Sequence, residues 1–177
     1  MTRLLVAALA LAAAVPAYAA QAYAVSVEEV ARASDAVLRG TVERSRTWKS
    51  EDGLRIYTTY DVRTRTVLRG QAPAVARVVI PGGVLGRIEQ RVDAAPTLAA
   101  GEDVVVFLRR SAEGVGEGAA GTFGVTALAQ GKFTVVGRTA RPDLSKVSFV
   151  RTSVPGGERR AEEMPLDELE RRVRRSR

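Results

Sequence analysis

The side chains that most often do chemistry in proteins are unevenly represented in this sequence. Its 177 residues contain no histidine and no cysteine. Their absence excludes Ser-His-Asp and Cys-His catalytic machinery, redox thiols and disulfides, and it leaves zinc only an uncommon all-carboxylate site. Nucleophilic or acid–base chemistry would therefore depend on Asp, Glu, Lys, Tyr or Ser alone.

A glycine-rich stretch, VVIPGGVLGRIEQ at residues 78–90, follows a β-branched run and could cradle a phosphate. Gly82, Gly83 and Gly86 lack the Gly-Lys-Ser/Thr ending of a P-loop. The following RIEQRVD is not an apolar-faced helix of useful length, so no helix N-terminus would face the phosphate. Because Pro81-Gly82 is a turn dipeptide, we predict that one strand ends here, turns and starts the next.

Paired carboxylates are the other candidate reactive groups, and the adjacent pairs include Glu28-Glu29, Glu51-Asp52, Glu102-Asp103 and Glu162-Glu163. A glycosidase needs two carboxylates that face each other across a cleft, whereas neighbours in sequence point in different directions. We expect these pairs to lie at a helix start or in solvated turns. The SEDG turn also lacks the acidic spacing of a calcium-binding loop. The sequence therefore predicts no catalytic residue, metal or cofactor.

Aromatic residues supply a candidate interaction site. Trp48 is the only tryptophan and precedes a polar turn, while Tyr57 lies on the strand that should pair with it. Aromatic rings on a barrel surface can stack on bases or sugars, and Arg46 and Arg55 would add positive charge. Trp48, Tyr57, Arg46 and Arg55 thus form the candidate interaction patch. The alternative, favoured by the usual burial of tryptophan, is that Trp48 plugs a barrel end.

The N-terminal segment, residues 1–19, has the pattern of a signal peptide. Arg3 precedes an apolar run from Leu4 to Val15, and small residues precede the expected cut between Ala19 and Ala20. Cleavage there would give an exported chain, periplasmic or secreted. Since the run is too short to span a bilayer comfortably, we expect no membrane span after its removal. An N-terminal anchor helix is the alternative.

The formal net charge is +7, and apart from Lys49, Lys132 and Lys146 every basic residue is arginine. A basic protein suggests an anionic partner. However, arginine and acidic residues are interspersed, and abundant Arg, Ala, Gly and Val is typical of a GC-rich genome. We therefore expect a protein partner rather than nucleic acid.

Short strands separated by turns dominate the rest of the chain. Ser26 and Glu29 fit a capping box at the start of a short helix. Gly40 interrupts the alternation of the first strand and predicts a bulge or a tight bend. Residues 104–108 are apolar throughout, which places that strand at the centre of a sheet. The segment FGVTALAQGKFTVVG predicts a hairpin that turns at residues 130–132.

The C-terminal region is predicted to form a linker, residues 153–164, and a helix, residues 165–177. Leu166, Leu169 and Val173 share one face of that helix. Acidic residues near its start and arginines near its end suit the helix dipole.

The order of three segments, VARASDAVLRGTV, YTTYDVRTRTVLRG and AAGEDVVVFLRR, resembles the inhibitory domain of the tissue inhibitors of metalloproteinases and related netrin modules. The resemblance covers about residues 27–110 and implies a five-stranded barrel of the oligonucleotide/oligosaccharide-binding (OB) type with helices packed on it. Those inhibitors chelate the protease zinc through a Cys-x-Cys start. Because no cysteine is present here, no functional residue is carried over.

Together these patterns predict an all-β fold with flanking helices: a small OB-like closed barrel over residues 20–152, a short N-terminal helix and a C-terminal helix. The predicted function is that of an exported, non-enzymatic binding module. One alternative is an inhibitor or accessory protein of an exported protease or metalloprotease, and another is a carboxylate-dependent hydrolase.

Overall fold

A computed structural model describes residues 21–111, 121–145, 147–149 and 161–176. The predicted signal peptide and its cleavage site, Ala19 and Ala20, lie outside the described residues, as do residues 153–160 of the predicted linker. No helix in the described ranges is both long enough and apolar enough to cross a membrane.

The described elements are strands, two α-helices and one 3-10 helix. In chain order they are β1 (Gln21–Ala22), α1 (Val27–Arg32), β2 (Ala36–Lys49), β3 (Ile56–Gly70), β4 (Val75–Pro81), β5 (Gly83–Leu85), β6 (Ile88–Gln90), β7 (Asp103–Arg110), β8 (Thr122–Val125), the 3-10 helix (Leu128–Gly131), β9 (Lys132–Val136), β10 (Thr139–Pro142), β11 (Ser148–Phe149), β12 (Met164–Pro165) and α2 (Leu166–Arg175).

Five strands close into a barrel in the order β2, β3, β4, β8 and β7, with β7 returning to β2. β4 and β8 run parallel, and every other neighbouring pair in the barrel is antiparallel. The prediction of an all-β, OB-like closed barrel with a short N-terminal helix and a C-terminal helix is confirmed.

The pairing of β2 with β3 is irregular beside Gly40. The register shifts between Arg39 and Gly40, where the glycine predicted an irregularity, but the extra residue, Arg65, lies on β3 and not on β2. A Cβ atom at Gly40 would lie 2.4 Å from the carbonyl oxygen of Arg63, so no larger residue fits without moving that strand. The bulge increases local twist, which a closed small barrel requires.

Strand β7 separates two hydrophobic cores. Val104, Val106 and Leu108 point into the barrel, where they join Leu38 and Val62 among others. Val105 and Phe107 point outwards, into a second core shared with both helices and β9. All five β7 residues from 104 to 108 are fully buried, which confirms the prediction of a central strand.

This second core, which we call the outer core, holds the two helices against the barrel. Ser26 and Glu29 form the predicted capping box at the start of α1, whose Val27 and Val30 are buried. Leu169 and Val173 of α2 are fully buried in the same core. The described end of the predicted linker joins them: Ala161 and Met164 are buried, and β12 pairs with β10.

The predicted hairpin with its turn at residues 130–132 is wrong. β8 and β9 each pair with β7, on its C-terminal and N-terminal halves respectively, and not with each other. The 3-10 helix at Leu128–Gly131 carries the chain from one half to the other. The alternation of polar and apolar residues identified both strands, but it does not reveal that each of them pairs with β7.

Candidate functional site

The outer face of the β2–β3 ribbon presents the aromatic residues singled out in the sequence. Trp48 and Tyr57 are direct cross-strand neighbours, and their rings stack with centroids 5.0 Å apart and an angle of 22° between planes. The Trp48 Nε1–H donates a hydrogen bond of 2.9 Å to the Thr59 hydroxyl. Ile56 and Thr58, on either side of Tyr57, are buried, so the stack lies on the opposite, outer face.

Trp48 therefore does not plug a barrel end. Its side chain is half-buried, and it belongs to neither hydrophobic core among the described residues. The stack itself shields part of both rings from water, since each ring covers one face of the other.

Arginines surround the aromatic stack. Arg46 lies opposite Thr59, and Arg44 lies opposite Asp61, to which its Nε is bound at 2.6 Å. Arg77 of β4 is the next neighbour across from Asp61 and is exposed. A surface cavity of about 380 Å³ is lined by Arg44, Ser45, Arg46, Trp48, Thr59, Asp61 and Arg77.

Arg55 lies on the other side of the stack. The Tyr57 side chain raises the pKa of Arg55 by hydrogen bonding, with a smaller contribution from Asp52. All four predicted patch residues thus lie on or next to one face. We call Trp48, Tyr57, Arg44, Arg46, Arg55 and Arg77 the aromatic–arginine patch.

Arg44, Asp61 and Arg77 were missed by the sequence analysis. Arg77 lies on a third strand, and only the register of β3 against β4 brings it beside Asp61. The alternating polar positions of β3 contained a signal, because Asp61 shares a face with Tyr57. Without the register, its neighbours on the adjoining strands could not be identified.

The glycine-rich stretch forms a hairpin rather than a phosphate cradle. Gly83–Leu85 and Ile88–Gln90 pair as two antiparallel strands, with Gly86 in the turn at a φ of 62°. A Cβ at Gly83 would lie 2.3 Å from the Thr58 hydroxyl oxygen. Glycine is needed there because the hairpin packs closely against β3. The predicted structural turn is confirmed, and no helix begins after these glycines.

None of the adjacent carboxylate pairs faces a second pair across a cleft in the described structure. Glu29 caps α1, and Glu28 binds Arg172 of α2 through two hydrogen bonds of 2.6 and 2.9 Å. Asp103 binds Arg39 at 2.8 Å, and Glu163 binds Arg141 at 3.1 Å. Within the described ranges, no group of three or more acidic side chains is arranged to hold a metal ion.

Glu102 and Lys132 form the most buried ion pair of the described residues, at 2.5 Å, with side chains 15% and 5% exposed. The carboxylate also accepts from the Thr134 hydroxyl and, at 2.9 Å, from the backbone N–H of Ala99. Burial opposes ionisation of Glu102, but these hydrogen bonds outweigh it and lower its pKa. The pair ties the turn before β7 to β9.

Compared with known proteins, the chain matches no protein family and no curated sequence.

Proposed function

We propose that this protein is an exported, non-enzymatic binding module, and that it recognises an anionic protein partner through the aromatic–arginine patch. The observation that carries the proposal is the half-buried stack of Trp48 on Tyr57 on the outer face of a surface rich in arginine. Tryptophan, tyrosine and arginine are the residues most often found at the energetic centre of protein interfaces.

The geometry of the patch supports recognition of carboxylate groups. Guanidinium groups present planar forks that match carboxylates, and Arg77 is exposed where it lies opposite Asp61. The stack is held by the hydrogen bond from Trp48 to Thr59 and by direct strand pairing. A partner would therefore meet side chains that are already ordered, which lowers the entropic cost of binding.

The roles of the acidic side chains support a non-enzymatic function. Glu28, Glu29, Glu102 and Asp103 each serve a contact that holds elements of the fold together. A carboxylate-dependent hydrolase would need two such groups presented to a substrate in one cleft.

The test is affinity capture with the mature chain, residues 20–177, from exported proteins of the source organism. We expect proteins retained at low salt to be lost at high salt and with Trp48→Ala, because the contact combines charge with aromatic area. Val136→Ala is the control, since Val136 is also an exposed apolar residue, 54% exposed, and lies outside both the patch and the segment before α1. Retention that survives both salt and Trp48→Ala would refute the proposed surface.

A second candidate function is inhibition of, or assistance to, an exported protease, and one observation favours it. The amide of Gln130 holds the chain before α1: its Oε1 accepts from the N–H of Val25 at 3.0 Å, and its Nε2 donates to the carbonyl of Tyr23 at 3.0 Å. β1 pairs with β11 just before this clamp. A segment ordered in this way could enter a protease cleft without a large loss of entropy.

Inhibition assays with exported proteases of the source organism separate the two candidates. If the held segment acts, Gln130→Ala abolishes inhibition and Trp48→Ala does not. The aromatic–arginine patch predicts the reverse dependence.

A further inference from the structure

The mouth of the barrel beside β5 and β6 contains a cavity of about 640 Å³, which is within the usual range of roughly 300–1,000 Å³ for small-molecule sites. Thr58, Tyr60 and Ile80, from the inner face of the barrel, line its floor. Residues 91–97 pass over it before the chain enters β7. We call this space the mouth cavity.

The polar groups on the floor of the mouth cavity already have partners within the protein. The Thr58 hydroxyl donates to the carbonyl of Gly82 at 2.8 Å. Tyr60 is hydrogen-bonded with Thr58 and the backbone of Leu98, and burial raises its pKa, so the phenol stays neutral. A ligand therefore does not need to form hydrogen bonds with the floor. An apolar group can lie on it without leaving buried polar atoms unpaired.

Apolar side chains form part of the walls, and the charged side chains lie at the rim. Val84, Val92 and Pro96 line the walls, and Val84 is 61% exposed beside the opening. The charged lining residues, Glu89, Arg91 and Asp93, are all exposed. Glu89 and Arg91 bind each other, at 2.7 and 3.3 Å, which leaves the Asp93 carboxylate as the net charge of the rim.

The segment that covers the mouth cavity is held in an unusual conformation. Ala94 has a left-handed φ of 58°, which non-glycine residues seldom adopt, and its carbonyl accepts from the N–H of Ala129 at 2.9 Å. Such strain persists only where the surrounding structure imposes it, and it is concentrated at binding sites. The cover is thus anchored to the 3-10 helix region, and the cavity beneath it is preformed.

We propose that the mouth cavity binds the aliphatic chain of a small amphiphile with a cationic head group, the chain lying on Ile80 and the head lying beside Asp93. An apolar chain suits the floor and walls, and the rim carboxylate favours a positive head over a negative one. This site is separate from the aromatic–arginine patch, and it stands or falls independently of the proposed function.

Three ten-carbon probes with different heads test the proposal by titration calorimetry below their critical micelle concentrations: decyltrimethylammonium, decanol and decanoate. We expect the cation to bind about threefold to fivefold more tightly than decanol, and decanoate to bind most weakly, as one exposed charge allows. Asp93→Asn should reduce the affinity for the cation to that for decanol. Glu162→Gln, which removes an exposed carboxylate outside the cavity lining, is the matched control and should leave the order unchanged.

Blocking the cavity tests its location. Thr97 lines the mouth and is exposed, so Thr97→Phe narrows the opening without disturbing a buried position. Binding of all three probes should be lost with Thr97→Phe and retained with Trp48→Ala. The proposal is overturned if no probe binds, if decanoate binds best, or if Thr97→Phe binds all three probes as the unaltered chain does. Loss of binding with Trp48→Ala would place the probes on the aromatic–arginine patch instead.

Discussion

Arg172 of α2 and Glu28 of α1 form an ion pair with two hydrogen bonds, of 2.6 and 2.9 Å. The two residues are 144 positions apart in the chain. Both side chains are about one-third exposed. The hydrogen bonds from Arg172 lower the pKa of Glu28. This pair and the outer core fix the C-terminal helix to the start of the domain.

Replacing Glu28 with Gln should lower the free energy of unfolding by about 1 kcal/mol, because a bidentate pair in a partly buried position is lost. Urea denaturation followed by circular dichroism measures the change. Glu170→Gln removes the Arg174 partner, an i,i+4 contact within α2, and should cost only about 0.3–0.5 kcal/mol. Equal costs for the two variants would argue against a special role for the interhelical pair.

Lys132→Met should lower the free energy of unfolding by about 3 kcal/mol, since it leaves the Glu102 carboxylate largely buried without its cation. The double variant Lys132→Met/Glu102→Gln should recover part of that loss, because no charge is then left unpaired. Denaturant titration of Lys132→Met, Glu102→Gln and the double variant is the measurement. If the double variant is as unstable as the sum of the two single variants, the coupling between these residues is absent.

Stability should fall as the pH drops below about 4.5, the ordinary pKa of a glutamate, because Glu28 and Glu102 have lowered pKa values in the folded chain. The unfolded chain takes up these protons first, so the stabilisation present above that pH is lost as the pH falls through the folded-state values. Unfolding free energies between pH 7 and pH 2.5 give the profile. Glu102→Gln should flatten it, whereas an unchanged slope would show that other groups control the acid transition.

Gly83→Ala should destabilise the fold by about 2–4 kcal/mol, because the new methyl group would collide with Thr58 and because φ is 140°. Gly86→Ala is the matched comparison: its φ is 62°, but nothing lies within 4 Å of the added atom. That variant should cost only the backbone term of about 1–2 kcal/mol. Thermal unfolding of both separates the close packing of the hairpin from backbone preference, and equal losses would contradict the packing argument.

Trp48→Ala should lower the free energy of unfolding by about 1–2 kcal/mol, because the half-buried ring loses its stacking on Tyr57 and its hydrogen bond to Thr59. Phe133→Ala, at a fully buried position in the outer core, should cost about 3–5 kcal/mol. Chemical denaturation gives both values. A loss at Trp48 as large as the loss at Phe133 would mean that the tryptophan serves the fold rather than the patch.

Features that depend on nearest neighbours in sequence were predictable. The capping box at Ser26, the irregular pairing beside Gly40 and the two-sided burial of β7 all follow from local residue types. Likewise, the residue types at positions 82, 83 and 86, all glycine, were enough by themselves to predict a turn.

Features that depend on which strands meet were not predictable from local patterns. Lys132 has no sequence signal that points to Glu102, 30 residues earlier. Arg77 joins the aromatic–arginine patch only through the register of β4, and the mouth cavity exists only because residues 91–97 cross the barrel. These features depend on which strands pair and in which register, and the periodicity of a single sequence does not encode either.

The position of β7 has a consequence for how the chain unfolds. Its backbone pairs with β2 on one side and with β8 and β9 on the other, and its two faces belong to different cores. Neither the barrel nor the helical layer can open without exposing that strand. The described parts of the chain should therefore lose structure in one cooperative step, with the amide hydrogens of Val105 and Val106 among the last to exchange with solvent.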